Sequence, residues 1–275
     1  MADKAIMYDA TKCTACRGCQ VACKQWNEND EQGLEQTTNR GSYENPPDLS
    51  PRTWLRITFH EVEVNGKVKW LFNRQACMHC TDAACVRVCP NGTLYHNEYG
   101  TVSYNKDTCT GCGYCVEACP FHIPRLDGNK ISGLAKMAKC AFCTQPGLDR
   151  ISQGWEPACV KTCPPKALVY GNRDQLVLLA KQRVSELKSK GVPNANLYGE
   201  KELNGLHVMY ILEESPELYG LPLDPQIPPV TIAWKGILQP IGWILGGLTL
   251  AGLALNYIVA REAKINRDLP GRKEK

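Results

Sequence analysis

The residues of this chain best suited to chemistry are its cysteines, and their spacing says which chemistry. Cys109, Cys112, Cys115 and Cys119 stand at C-x2-C-x2-C-x3-C, with Pro120 following. Two intervening residues let a tight loop aim successive thiolates at neighbouring irons of one cubane, while the fourth cysteine, next to proline, turns away and ligates a second cluster. Cys13, Cys16, Cys19 and Cys23 repeat this spacing. Cys77, Cys80, Cys85 and Cys89 widen the second gap to four residues, and Cys140, Cys143, Cys159 and Cys163 stretch it to fifteen. The four groups use all 16 cysteines. Four 4Fe–4S clusters are therefore expected, with no thiol left over for a disulfide or a nucleophile.

Other uses of cysteine fit less well. Disulfide frameworks belong to short secreted chains and do not repeat C-x2-C four times. A structural zinc needs two such pairs and has no use for the third and fourth cysteine of each group. His79 and His122 lie within or beside the groups, but sulfur already fills every ligand position, so they are expected to pack or to support the ligands. No catalytic site is expected on this chain, and the chemistry left to it is one-electron transfer. A row of clusters divides one long tunnelling route into short hops.

The rest of the chain has to position these groups. Its 275 residues are 43% hydrophobic, enough for a core, and the net charge of +4 is mild. That charge forms no basic stripe, so nucleic acid is not an expected partner. With so much cysteine committed to metal, cluster binding and folding are one equilibrium. Residues 1–170 are read as the cluster-bearing ferredoxin-like domain, carrying an insertion at 24–76. In that insertion, Thr53–Val64 and Lys67–Phe72 flank Asn65-Gly66, a dipeptide that favours a type I′ hairpin. A shorter hairpin is expected over Thr93–Tyr104, turning near Asn97–Gly100. Within 171–233 follow a helix over Asp174–Lys190, stopped by Gly191 and Pro193, a strand over His207–Leu212, and an extended linker.

Pairing of the groups follows from this order. Two groups joined by a short hairpin are the plan of a two-cluster ferredoxin, so groups two and three form one unit and groups one and four pair around it. Nested in this way, Cys13, Cys16, Cys19 and Cys163 hold a first cluster, and Cys23, Cys140, Cys143 and Cys159 a second. Cys77, Cys80, Cys85 and Cys119 hold a third, and Cys89, Cys109, Cys112 and Cys115 a fourth. Spacing alone also permits sequential pairing, one with two and three with four. The expected fold class is α+β: two pseudo-symmetric bacterial-ferredoxin-like dicluster units with hairpin insertions, plus one C-terminal transmembrane helix.

That helix is read from Gly236–Ala260, 25 residues without a charge, long enough to cross the hydrocarbon layer. Trp234, Lys235 and Tyr257 stand at interfacial depths, and the span is taken as 234–260. Gly242 and Gly246 offer a close helix contact. The tail at 261–275 carries Arg261, Lys264, Arg267, Arg272, Lys273 and Lys275, whereas no Lys or Arg occurs from Glu202 to Trp234. The tail is therefore expected in the cytoplasm and the cluster domain in the periplasm, at a bacterial inner membrane. Residues Met1–Thr11 show no export signal, so export is expected in complex with a partner that carries a twin-arginine signal.

The segments CMHCTDAACVRVCP, GCGYCVEACPFHIPRL and EPACVKTCPPKAL resemble the electron-transfer subunits that serve molybdenum or tungsten oxidoreductases and some membrane hydrogenases. NPPDLSPRTW, HVMYIL, LYGLP and WKGI resemble more closely the beta subunit of respiratory membrane-bound formate dehydrogenase. The resemblance implies nested pairing, a large catalytic subunit holding molybdenum or tungsten bis-pterin, and a membrane cytochrome b (gamma) subunit that reduces quinone. It implies that electrons enter near the cluster of Cys13, Cys16, Cys19 and Cys163 and leave near that of Cys109, Cys112, Cys115 and Cys89. Nitrate reductase relatives replace one cysteine with tryptophan, whereas group three here is complete. The chain departs from the family in its short lead to Cys13 and its long loop over Thr144–Ala158. The rival readings are the same wire on a membrane-bound hydrogenase or a sulfur-compound or sulfoxide reductase, a membrane-tethered ferredoxin, and an iron–sulfur sensor.

Overall fold

The computed structural model describes residues 3–29, 41, 43–128, 135–229 and 238–268. The expected interfacial Trp234 and Lys235, the start of the uncharged stretch at Gly236, and the basic Arg272, Lys273 and Lys275 lie outside them. The chain divides into two units, Met1–Pro228 and Pro229–Lys275.

The first unit is α+β, and its largest sheet gathers strands from both ends of that unit. β1 (Lys4–Asp9) pairs in parallel with β10 (Val208–Leu212) and antiparallel with β8 (Leu168–Asn172), and β9 (Asn196–Tyr198) closes the edge beyond β10. Alternation sorts the two faces. Ala5, Met7, Met209 and Ile211 pack against α5 (Arg173–Ser189) through Leu176, Ala180 and Leu187. Ile6, Tyr8, Val208, Tyr210 and Leu212 turn the other way, into the core that holds most of the cysteines. β10 is thus buried along its whole length, which is why VMYIL reads as an unbroken run of large, largely apolar residues.

α5 matches its expected bounds to within a residue. Gly191, at φ 88, ends it, with Gly191 N–H donating to the Lys188 carbonyl and Val192 N–H to that of Leu187. This is a Schellman cap, and Val192 packs with Leu187 as such caps favour.

The long hairpin is present as β2 (Leu55–Val64) and β3 (Lys67–Ala76). Asn65 and Gly66 both take positive φ, 53 and 74, as a type I′ turn requires. Its base is stitched to the sheet: Tyr8 Oη donates to the Phe72 carbonyl at 2.9 Å, and Tyr210 Oη donates to that of Arg74. The second hairpin comprises β4 (Leu94–His96) and β5 (Val102–Tyr104). Asn97 Oδ1 organises its turn by accepting from the Tyr99 and Thr101 N–H groups. Sequence reading missed a third antiparallel pair, β6 (Arg125–Asp127) with β7 (Lys136–Ala138), which lies between groups three and four as β4 and β5 lie between groups two and three.

Among its described residues the second unit contains one long helix, α6 (Gln239–Asp268). Within the 27 residues of Gln239–Ile265 an 18-residue window has a mean hydropathy of 1.7, with none of it buried. At 1.5 Å rise per residue these 27 residues extend about 40 Å, more than the roughly 30 Å hydrocarbon layer. The helix is therefore long and apolar enough to cross a membrane. Thr249 satisfies its hydroxyl within the helix by donating back to the Leu245 and Gly246 carbonyls.

Candidate metal centres

The four cysteine groups share one local geometry. The residue just before the second cysteine is left-handed in each: Ala15 at φ 51, His79 at 49, Gly111 at 68 and Phe142 at 61. For an L residue this costs about 1–2 kcal/mol. What it achieves is visible in three groups, where the N–H of that residue points back at the first sulfur: Ala15 to Cys13 at 3.4 Å, Gly111 to Cys109 at 3.4 Å and Phe142 to Cys140 at 3.5 Å. Repeated strain of this kind is characteristic of binding sites.

The third cysteine is in every case the second residue of a helix. Cys19 lies in α1 (Gly18–Trp26), Cys85 in α2 (Ala84–Val88), Cys115 in α3 (Tyr114–Ala118) and Cys159 in α4 (Ala158–Lys161). One turn later comes the fourth cysteine, and three residues after it a left-handed residue recurs in three groups: Gly92, His122 and Lys166. These loops fold N–H groups around the fourth sulfur. Burial pushes the Cys89 thiol up, but donors from Leu94, Thr93 and Asn91 outweigh burial and bring it below its ordinary value.

α1 packs against α4 and α2 against α3, so groups one and four face each other, as do two and three. The thiols that disfavour one another's ionisation come from both members of each packed pair of groups. Burial, then Cys159, Cys13 and Cys163, push Cys19 up to about 12. Burial raises Cys23 strongly, and Cys140, Cys143 and Cys159 add to it. Cys80 is raised by burial and then by Cys77, Cys119 and Cys85. Cys115 is pushed up to about 12 by burial and then by Cys112, Cys109 and Cys89. Cys89, Cys109, Cys112 and Cys115 also line one cavity together with Gly111 and Met137. Charge also acts between Cys19 and Cys159, Cys140 and Cys77, and Cys85 and Cys115. Cys16 and Cys112 are exposed, and the other fourteen cysteines are buried or half-buried.

The donor chemistry suits iron–sulfur clusters. Buried thiols that repel one another as thiolates are stabilised by cationic irons placed among them. Among the described residues no three Cys, His, Asp or Glu side chains close on a single ion. A lone tetrahedral zinc would instead draw four sulfurs to within about 4 Å of one another.

Two buried cations had no sequence signal, since a lone Arg in a strand or Lys beside a cysteine reads as surface. Arg74, on β3, is 1% exposed and its Nη2 lies 3.8 Å from Cys159 Sγ. Lys139 is equally buried and donates to the Val102 and Cys140 carbonyls. His79 is fully buried, and its Nδ1 accepts from Val102 N–H at 3.1 Å. Burial first, then the charges of Lys139, His207 and Arg74, hold its pKa well below the ordinary value. The ring is thus neutral, with its proton on Nε2, and packs edge-on to Phe142. His122 is exposed.

Comparison with known proteins adds lineage. Residues 12–93 and 68–173 each match a 4Fe-4S dicluster domain, and together these ranges contain every cysteine. The chain is 43% identical over 262 residues to the iron–sulfur subunit of the nitrate-inducible formate dehydrogenase of Escherichia coli, covering 94% of this chain and 85% of that one. It is 35% identical over 225 residues to formate dehydrogenase 2 subunit beta (cytochrome c-553) of Nitratidesulfovibrio vulgaris, covering 78% and 96%. The hydrogenase-2 operon protein HybA of Escherichia coli is 34% identical over 282 residues, covering 89% and 82%.

Proposed function

Because the chain belongs to the family of formate dehydrogenase iron–sulfur subunits, we propose that it carries electrons from a formate-oxidising catalytic subunit, holding molybdenum or tungsten bis-pterin, to a membrane cytochrome b subunit and quinone. Its four ligand sets are Cys13, Cys16, Cys19 and Cys163; Cys23, Cys140, Cys143 and Cys159; Cys77, Cys80, Cys85 and Cys119; and Cys89, Cys109, Cys112 and Cys115. Clusters bound there supply one-electron chemistry. The chain's own residues hold the thiolates, aim N–H groups at sulfur and keep the inner sites from water.

The observation that carries this reading is where exposure falls. With these sets, the influence of Cys159 on Cys19, Cys77 on Cys140 and Cys115 on Cys85 orders the sites in a row, and the exposed Cys16 and Cys112 fall in its two end sets. A carrier between two partners has to be reachable at its ends and closed along its middle. Electrons enter at the set of Cys16 and leave at the set of Cys112. Arg261, Lys264 and Arg267 follow the apolar stretch, while no Lys or Arg occurs from Glu202 to Trp234. This asymmetry supports a cytoplasmic tail and a periplasmic cluster domain, spanning residues 1–170.

The test uses the detergent-solubilised complex, purified without oxygen and oxidised beforehand. Formate should bleach the broad visible absorption, with no response in a parallel sample given hydrogen. Bleaching by hydrogen alone would overturn the formate reading in favour of a hydrogenase wire, the alternative that the likeness to HybA keeps in view.

A further inference from the structure

Arg74 is a buried cation with no carboxylate to answer it among the described residues. Its guanidinium donates from Nη2 to Cys159 Sγ at 3.8 Å, while Nε and Nη1 have no partner among the described residues. Lys139, by contrast, satisfies itself on two backbone carbonyls. An arginine stays charged in any protein environment, and a buried charge left unpaired is costly enough that a fold keeps one only beside an opposite charge. The groups around this guanidinium are sulfurs and the Tyr210 hydroxyl, which burial pushes up to about 12 and so keeps neutral, leaving the sulfurs as its anions. Its charge acts on Cys159, Cys140 and Cys23, three members of one set, and on Cys19 of the adjoining set. The backbone is held at this point by Tyr210 Oη, which donates to the Arg74 carbonyl, and by the β2 partner Ile57.

We infer that Arg74 is the fixed counter-ion of the site formed by Cys23, Cys140, Cys143 and Cys159, and that its guanidinium raises the reduction potential there. The inference rests on the four-cluster reading above. Four thiolates around one cluster leave the site with net negative charge, and each one-electron reduction makes it more negative by one. A guanidinium already in place, with donor nitrogens free for sulfur, favours the reduced form. Because Arg74 neither gains nor loses a proton, the electron arrives without one from this residue. Arg74 is thus a positioning residue, acting on the electron through the ligands it touches.

The experiment is an EPR-monitored redox titration of the intact complex, with iron content measured alongside, for the unaltered chain, Arg74→Met and Arg74→Lys. Four one-electron iron–sulfur steps assigned to this chain, counted apart from the signals of the partners' own redox centres, test the reading itself before any variant is compared. In Arg74→Met one step should move to lower potential while the others hold. At the unaltered midpoint of that step, the reduced-to-oxidised ratio should fall about tenfold, equivalent to ~59 mV for one electron. Arg74→Lys, which keeps the charge and loses the fork, should shift by less than half as much. A fully loaded Arg74→Met with all four steps unmoved would overturn the inference. If Arg74→Met fails to load its clusters, Arg74→Lys decides: full loading with four steps near their unaltered values supports the counter-ion, and failure of both variants refutes it, because restoring charge then restores nothing.

Discussion

Gly111→Ala separates two costs that usually travel together. Gly111 is left-handed, at φ +68, and a Cβ built on it would meet the Ala135 carbonyl oxygen at 2.3 Å and the carbonyl carbon at 2.9 Å. The conformation is not the main obstacle, because Ala15, His79 and Phe142 hold the matching position in the other groups with side chains in place. Ala135 is the obstacle, and it is backbone, so the segment has to retreat by about 1 Å to reach ordinary contact. That segment leads into β7, whose Met137 N–H donates to Cys109 Sγ at 3.3 Å and whose Lys136 Nζ donates to the Cys109 carbonyl at 2.7 Å. Losing both at about 1 kcal/mol each, on top of about 1 kcal/mol for the left-handed alanine, makes about 3 kcal/mol. Gly154→Ala is the control: φ is +76, but nothing lies within 4 Å, so only the conformational cost of about 1 kcal/mol remains. The difference of about 2 kcal/mol corresponds to about thirtyfold in the population of the opened site. Anaerobic decay of cluster absorbance under an iron chelator reads it directly. In Gly111→Ala the absorbance of one cluster should be lost about thirtyfold faster than in Gly154→Ala. Equal rates in the two variants would refute the steric argument.

Cys112→Ser alters the exposed thiol of a terminal set and should cut formate-to-quinone activity well below formate-to-dye activity; equal losses would point to failed assembly instead. His79→Leu strands the buried Val102 N–H and should lower stability by about 1–3 kcal/mol, measured as a shift in denaturant midpoint; no shift would mean that this N–H finds another acceptor. A chain ending at Pro228, where the first unit closes, should leave the membrane fraction without detergent. Retention there would assign the anchoring to something other than α6.

The cluster chemistry could be read directly from the sequence because ligand spacing is a local property. Two residues between Cys109 and Cys112 set the reach of a loop whatever surrounds it, and the same holds for Asn65-Gly66 at the hairpin and Gly191 at the end of α5. An apolar span of the length of α6 is also visible in one dimension. Whatever depended on residues distant in sequence was hidden. β1 has an unremarkable pattern and becomes a central strand only by lying against β8 and β10, more than 150 positions away. Cysteine spacing allowed two ways of pairing the groups, and it gave no sign that α1 packs on α4 and α2 on α3. Arg74 shows the limit most sharply. A charged residue in a strand is ordinarily solvated, and only the closing of β3 over the cysteine-bearing core takes it out of water and sets it against sulfur.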